Sequence, residues 1–431
     1  MSTDSAPSLS FTDETTVDIT TSEHNEPEAD GCAGLALSDT AIDFIETEVN
    51  GGDSRRGDRI QLEFDRDGLV TLQTTSYVGV VSLPEGPVIE IRPKVTGTPL
   101  LHLLQYANGV DATTFAEETP IQQGNVFIEA IAALFQTELS AVLTRGLHTA
   151  YQTRDGTENR LRGRLNLQRQ LNRQPPQPTA FECTYDELTP DVPLNQAILF
   201  ATTVLIGLVQ DDGIGSALQR HRQQLRQRVT LRPVDPAELR TIETTRLNEY
   251  YDDLLRLTDL ILRNLYVSEL AIGESRSYSL LVNMNTVFEN AVGRAAKAAI
   301  ADRTGWSTTD QDTSRSLDEG GRINLKPDFT IADQTNAVRL VGDAKWKTES
   351  PENDDFYQLA AYQSAFDAPG LVVYPNQAGR LADSYTFPDG KELTLMELPT
   401  MKQTDSFAEY VEALEESLHS AIDQSIGHLS R

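Results

Sequence analysis

The chain of 431 residues is poor in cysteine, histidine and lysine. Each shortage removes a class of function. Its two cysteines, Cys32 and Cys183, supply neither a disulfide framework nor a Cys-x-x-Cys metal pair, which points to a reducing, cytoplasmic setting. The histidines, His24, His102, His148, His221, His419 and His428, are scattered, with none at metal-ligand spacing from another. A zinc enzyme or a histidine-based nuclease is therefore not expected. No Gly-x-x-x-x-Gly-Lys-Ser/Thr loop occurs, so the chain is not expected to hydrolyse nucleotides itself. The N-terminus is polar and acidic, unlike a signal peptide, and no uninterrupted apolar run suggests a membrane span. There is no internal repeat, and no strongly basic or aromatic-interleaved module of the kind that reads modified bases.

What the chain has in excess is acid. Asp and Glu number 65 against 36 Lys and Arg, for a formal net charge of −29. Lysine is confined to Lys94, Lys297, Lys326, Lys345, Lys347, Lys391 and Lys402, so arginine carries most of the positive charge. Such a balance matches a halophile's composition, in which salt screens self-repulsion over about 3 Å at 1 M. It is awkward for a DNA-binding protein, because phosphates attract clustered Lys and Arg. In a chain with so few lysines, those at 326, 345 and 347 mark a place where ammonium groups are needed.

Residues 1–39 are rich in Ser, Thr, Asp and Glu and read as an acidic disordered tail. Short alternating runs follow within 40–115, at 60–64, 70–74, 77–83 and 88–91. Gly68 and Pro84-Glu85-Gly86-Pro87 punctuate them as turns, so they predict a small β domain. Residues 116–275 read as mainly helical, with apolar residues at helical spacing over 126–143, a buried helix over 198–209 and another helix over 247–266. A basic segment interrupts this region, where Arg160, Arg162, Arg164 and Arg169 have no balancing acidic run. Gly163 permits a close backbone approach there, making Arg160, Arg162 and Arg164 candidates for contact with DNA or a partner protein. Arg220–Arg232 reads instead as a solvated helix face.

The densest chemistry lies between 326 and 362. Strand alternation puts Asp343 and Lys345 on one face and Ala344 and Trp346 on the other. Asp328, on a strand-like segment over 324–331, comes opposite Asp343 through a hairpin whose turn falls in 332–337. Two carboxylates then meet one lysine. Mg²⁺, or Mn²⁺ in its place, binds through one or two carboxylates plus substrate phosphate, so the trio suits phosphodiester hydrolysis. Lys345 would orient the attacking water or stabilise charge on phosphate oxygens. In a helix predicted over 353–366, Asp355, Gln358 and Tyr362 share one face, from which Gln358 and Tyr362 can hold phosphate or the lysine. Lys347 reads as a phosphate contact or a surface charge. Blander roles exist: Asp328 could cap a turn after Pro327, and Lys345 could merely pair with Asp343. Neither explains the helix downstream.

Pro327-Asp328 followed by Asp343-Ala344-Lys345 resembles the PD-(D/E)xK nuclease signature, and Gln358-x-x-x-Tyr362 resembles an element of its RecB-like branch. More narrowly, the chain resembles the McrC family, the nuclease subunit of modified-cytosine restriction systems. Residues 79–94 look like that family's N-terminal β segment, Leu161-Arg162-Gly163-Arg164-Leu165 like its middle turn, and Asp191-Val192-Pro193-Leu194-Asn195 like its mid-chain helix start. The resemblance implies a multidomain α/β and β protein: a small N-terminal β domain, a helical middle region, and a restriction-endonuclease-like α/β nuclease domain over 276–431. It implies Mg²⁺-dependent cleavage of modified double-stranded DNA together with an McrB-like AAA+ GTPase. At the site it implies that the Ala344 carbonyl joins Asp328 and Asp343 at the metal. Glu289, on a helix predicted over 284–300, would complete the shell or be a solvated acid beside an apolar face. Two other readings stay open, a module that chiefly activates the GTPase and an unpartnered RecB-like nuclease.

Overall fold

The computed structural model describes residues 19–22, 34–35, 37–51, 58–66, 68–84, 86–110, 126–172, 180–242, 245–246, 248–269, 276–318, 320–348, 351–377, 381 and 384–427. Most of the expected acidic tail, with Cys32, and the turn residue Glu85 lie outside the described residues. The chain divides into two compact units, one made of Met1–Leu134 with Asn264–Arg431, the other of Phe135–Arg263.

In the first unit the four alternating runs all fold as strands. Ile60–Phe64 and Val70–Thr74 form a hairpin, and Tyr77–Ser82 pairs antiparallel with Val88–Arg92. The latter pair belongs to a five-stranded sheet with outer members from distant sequence, in the order Ile19–Ser22, Val88–Arg92, Tyr77–Ser82, Arg276–Asn283, Leu265–Glu269. Arg276–Asn283 stands at the expected start of the nuclease region, yet it is hydrogen-bonded into this N-terminal sheet. Burial explains why: Leu281 joins the core of Ile60, Leu72, Ile89 and Ile91. Gly79, at φ 135°, lets the Leu280 carbonyl occupy the space a Cβ would fill. Part of the helix expected over 247–266 is also strand. Helix Asp252–Arg263 ends before Leu265–Glu269, where Tyr266 and Val267 favour extended backbone.

The remainder of this unit is a six-stranded sheet, ordered Ser307–Asp310, Phe329–Ala332, Val338–Ala344, Gly370–Pro375, Glu392–Leu398, Ser384–Thr386. Phe329–Ala332 and Val338–Ala344 form the expected antiparallel hairpin, with Asn336 at φ 61° in its turn. Val338–Ala344 then pairs parallel with Gly370–Pro375, which requires a crossover, and helix Asn353–Phe366 provides it. That helix starts on a reciprocal capping box between Glu352 and Asp355 and stops where Asp367 turns left-handed. Its Leu359, Tyr362 and Phe366 pack with Val341, Val372 and Leu393 on one face of the sheet; each fully buried aliphatic or phenyl side chain contributes about 1.5–3 kcal/mol. On the other face Trp346, 2% exposed, meets Phe288 of helix Met284–Ala299, ring centroids 5.4 Å apart.

The second unit is less helical than its sequence suggests. Ala150–Glu158, Phe181–Thr189 and Arg164–Leu165 form a three-stranded antiparallel sheet, because the polar Thr, Gln and Arg residues alternate as on a strand exposed on both faces. Helices Pro193–Leu208, Asp212–Arg226 and Asp252–Arg263 supply the rest of its framework. One helix, Phe127–Arg145, is long and apolar enough by composition to cross a membrane, although Glu129, Gln136 and Glu138 interrupt its apolar run. Most of it is buried within the protein.

Candidate active site

Asp343 is the last residue but one of the Val338–Ala344 strand and is 2% exposed. Its sheet neighbour Gly370–Pro375 runs parallel, so the carboxylate sits at the carboxyl end of a parallel pair, where α/β sheets place their reactive groups. Asp328 immediately precedes Phe329–Ala332, and its Oδ2 accepts the backbone N–H of Ala344 at 2.7 Å. Lys345 comes just past the strand, anchored by its own N–H to the Val373 carbonyl at 2.8 Å. Its ammonium lies 2.6 Å from Asp343 Oδ2. The contact is charge to charge: that buried oxygen has no hydrogen bond aimed at it.

Helix Asn353–Phe366 then closes the group. Lys345 Nζ donates to Gln358 Oε1 at 2.7 Å, Gln358 Nε2 donates to the Tyr362 hydroxyl at 2.7 Å, and Tyr362 donates to the Lys326 carbonyl at 3.1 Å. The structure thus gathers Asp328, Asp343, Lys345, Gln358 and Tyr362 into one connected set. Asp355 turns to a different task. Its buried carboxylate takes the Lys347 ammonium at 3.2 Å and the Tyr374 hydroxyl at 3.3 Å, while Glu352 takes Lys347 at 2.8 Å. Lys347 therefore ties the strand end to the helix start, and a phosphate would have to compete with those carboxylates for it.

Electrostatics mark the site as short of positive charge. Burial raises both Asp328 and Asp343 above the ordinary carboxylate range, and the neighbouring Asp328 charge raises Asp343 further. Glu289, on Met284–Ala299, is pushed up to about 7 by burial and then by the charge of Asp328. Tyr362 is pushed up to about 12 by burial and the charge of Asp343. A cation would reverse this balance. The donor set also fits a hard divalent ion: two oxygen ligands at strand ends, one with a buried oxygen lacking a hydrogen bond. Among the described residues no three acidic, histidine or cysteine side chains converge tightly enough to hold a metal by themselves.

A cleft of about 370 Å³ opens beside Asp328. Glu289, Asn290, Gly293 and Lys297 line it from one helix, with Asp310 and Gln311 opposite. Sequence reasoning found Glu289 but missed the others. Glu289, Gly293 and Lys297 recur every four residues, a helical signal that was available. Gln311 gave none, because its place depends on backbone geometry.

The basic segment lies in the Phe135–Arg263 unit. Gly163, at φ 64°, is required there, since a Cβ would come within 2.5 Å of the Thr184 carbonyl. Arg162 covers the Tyr185 ring at 4.0 Å and pairs with Glu187 at 3.6 Å. Arg160 and Arg164 are exposed.

A family model described as McrBC 5-methylcytosine restriction system component matches residues 72–375. Among solved structures, a chain of the refined half-complex from the tetradecameric assembly of Thermococcus gammatolerans McrB AAA+ hexamers with bound McrC matches with a TM-score of 0.61. It is 18% identical, over 93% of this chain and 100% of that one. A second match, to the cryo-EM structure of the Thermococcus gammatolerans McrBC complex, has a TM-score of 0.44 and 20% identity, covering 66% of this chain and 88% of that one. The first is a likeness of fold. No curated protein sequence matches the chain.

Proposed function

From the premise that the chain belongs to the McrBC 5-methylcytosine restriction system component family, we propose that it is the metal-dependent DNA endonuclease subunit of a two-component, modification-dependent restriction system. One observation carries the proposal: the buried Asp343 Oδ2, with no hydrogen bond aimed at it, beside Asp328 and the Lys345 ammonium. Asp328, Asp343 and the Ala344 carbonyl would hold Mg²⁺, with Glu289 at the margin of the shell. When bound, the ion supplies Lewis-acid polarisation of the phosphodiester and a more acidic water. Lys345 steadies charge on the phosphate oxygens as water oxygen joins phosphorus and the ester P–O bond breaks. Gln358 and Tyr362 hold that ammonium in place. Because Asp343 is buried and Lys345 only partly exposed, this electrostatic help is worth more there than at an open surface.

The partner follows from the solved likeness, in which McrB AAA+ hexamers carry bound McrC. We infer an AAA+ GTPase that brings modified duplex DNA to this subunit. Arg160, Arg162 and Arg164 remain our candidates for DNA or partner contact. The test is cleavage of supercoiled plasmid in Mg²⁺ and KCl with an McrB-like AAA+ GTPase, using Asp343→Ala and Lys345→Ala. Wild-type cutting by either variant would remove the nuclease assignment. Partner GTP turnover is measured alongside: stimulation by D343A equal to wild type, with cleavage abolished, would separate activation from catalysis.

A further inference from the structure

Gly293 lies inside helix Met284–Ala299, on the face that lines the cleft beside Asp328. Glycine is the poorest helix former after proline, because it has the most backbone freedom to lose. At Gly79 and Gly163 geometry demands it: φ is positive and an added Cβ would clash with backbone. Neither reason holds at 293. Its backbone is ordinary right-handed helix, and an added Cβ would meet nothing nearer than Asp310 Oδ1 at 3.5 Å, a normal contact. What remains is the close approach of a ligand to bare helix backbone.

The rest of the cleft wall says what kind of ligand. Lys297, one of the chain's few lysines, follows one turn after Gly293, and Glu289 precedes it by one turn, so the three span about 12 Å of wall. The Lys297 ammonium pairs with Asp310 across the cleft, but both groups are half exposed, 54% and 49%, and such a pair is weak. A phosphate oxygen can take the ammonium from it. Asn290 adds an exposed amide on the same helix. Among the described residues that line the cleft none is aromatic, so nothing there offers a ring for a base to stack on. The wall suits a sugar–phosphate backbone.

We propose that Asn290, Gly293 and Lys297 form the seat for the strand being cut: its backbone runs against the helix at Gly293, one phosphate sits on the Lys297 ammonium and the Asn290 amide, and a neighbouring phosphate reaches the acids at the metal site. The inference rests on the nuclease reading above. It makes the contact one that positions the strand without reading its sequence.

The test compares full-length Gly293→Ala, Gly293→Leu and Lys297→Gln with wild type and Asp343→Ala. Each is melted, titrated with Mn²⁺ by calorimetry, and assayed for single-turnover plasmid cleavage against DNA concentration in Mg²⁺ with an McrB-like AAA+ GTPase. G293L should raise the half-saturating DNA concentration about tenfold or more, the scale of a misfit in a binding pocket, and G293A should raise it less. K297Q should weaken DNA binding and reduce the slope of log affinity against log KCl by about one, as loss of one phosphate contact does. Mn²⁺ affinity should stay at the wild-type value in all three. G293A should melt above wild type, because alanine is the better helix former. Wild-type DNA saturation in G293L, or a wild-type salt slope in K297Q, would overturn the inference and leave the metal site standing. A G293A protein that melts well below wild type would also overturn it, since the glycine would then serve the fold. Wild-type cleavage by D343A would remove the nuclease reading and this inference with it.

Discussion

Lys345 donates to Gln358 Oε1 at 2.7 Å, so the ammonium beside Asp343 is positioned from a helix thirteen residues downstream. The link does not end there, since Gln358 is fixed by Tyr362 and Tyr362 by the Lys326 carbonyl. A flexible lysine is thereby reduced to one geometry, and its entropy is lost before substrate arrives.

Gln358→Ala and Tyr362→Phe should therefore lower kcat by about 10–100-fold, the scale of a small misplacement at a reacting centre. Gln358 is exposed, so Q358A should melt close to wild type. Tyr362 is buried, and Y362F removes the hydroxyl that accepts from Gln358 and donates to Lys326. Single-turnover cleavage with the two variants checks this; a wild-type rate in Q358A would show that Lys345 needs no relay.

Gly342 makes a prediction about stability alone. It pairs with Phe329 across the hairpin that carries both aspartates, and a Cβ at 342 would lie only 2.0 Å from the tip of the Phe329 ring. Gly342→Ala should cost at least about 1–3 kcal/mol, as overpacked cores do. Thermal melting measures it. The loss should be recovered in part by Gly342→Ala with Phe329→Leu, because the smaller side chain gives up the contested space.

The hairpin, helix Asn353–Phe366 and the Asp328–Asp343–Lys345 grouping were legible in sequence because each rests on local periodicity and turn chemistry. The four N-terminal strands were legible for the same reason. What escaped was set by distant partners. Nothing near Arg276–Asn283 says that it joins Tyr77–Ser82 in one sheet; that depends on Gly79 admitting the Leu280 carbonyl. Asp355 was grouped with Gln358 and Tyr362 by helical spacing, but its place in the first turn commits it to Lys347 and Tyr374. Gln311 was invisible because its left-handed backbone is a tertiary outcome.

Glu138 should make the Phe135–Arg263 unit less stable as pH rises. Burial, then the charge of Asp253, pushes its carboxyl up to about 7. In the unfolded chain it ionises near 4.5. Between those values the unfolded state has released a proton that the folded state still holds, so stability falls with rising pH through this window. Above 7 the folded protein carries the full cost of a half-buried charge. Glu138→Gln should therefore melt higher than wild type at pH 8, with the difference shrinking toward pH 4. Equal melting temperatures at pH 8 would mean that solvent relieves the carboxylate.

The net charge of −29 yields the last prediction, which is independent of the site. If the acid surplus is an adaptation to salt, carboxylate repulsion is unscreened at low ionic strength, and the screening length falls from about 30 Å at 0.01 M to about 3 Å at 1 M. Melting temperature should rise steadily with KCl over that range. Phosphate contacts respond in the opposite sense, because salt removes the gain from counterion release. The isolated chain should then bind DNA poorly in molar KCl, while a partner that keeps DNA near the cleft restores binding through effective concentration. Melting across KCl, beside DNA binding with and without the AAA+ GTPase, checks both limbs. Stability unchanged from millimolar to molar KCl would defeat the adaptation argument, and tight binding by the isolated chain in molar salt would show that no tether is needed.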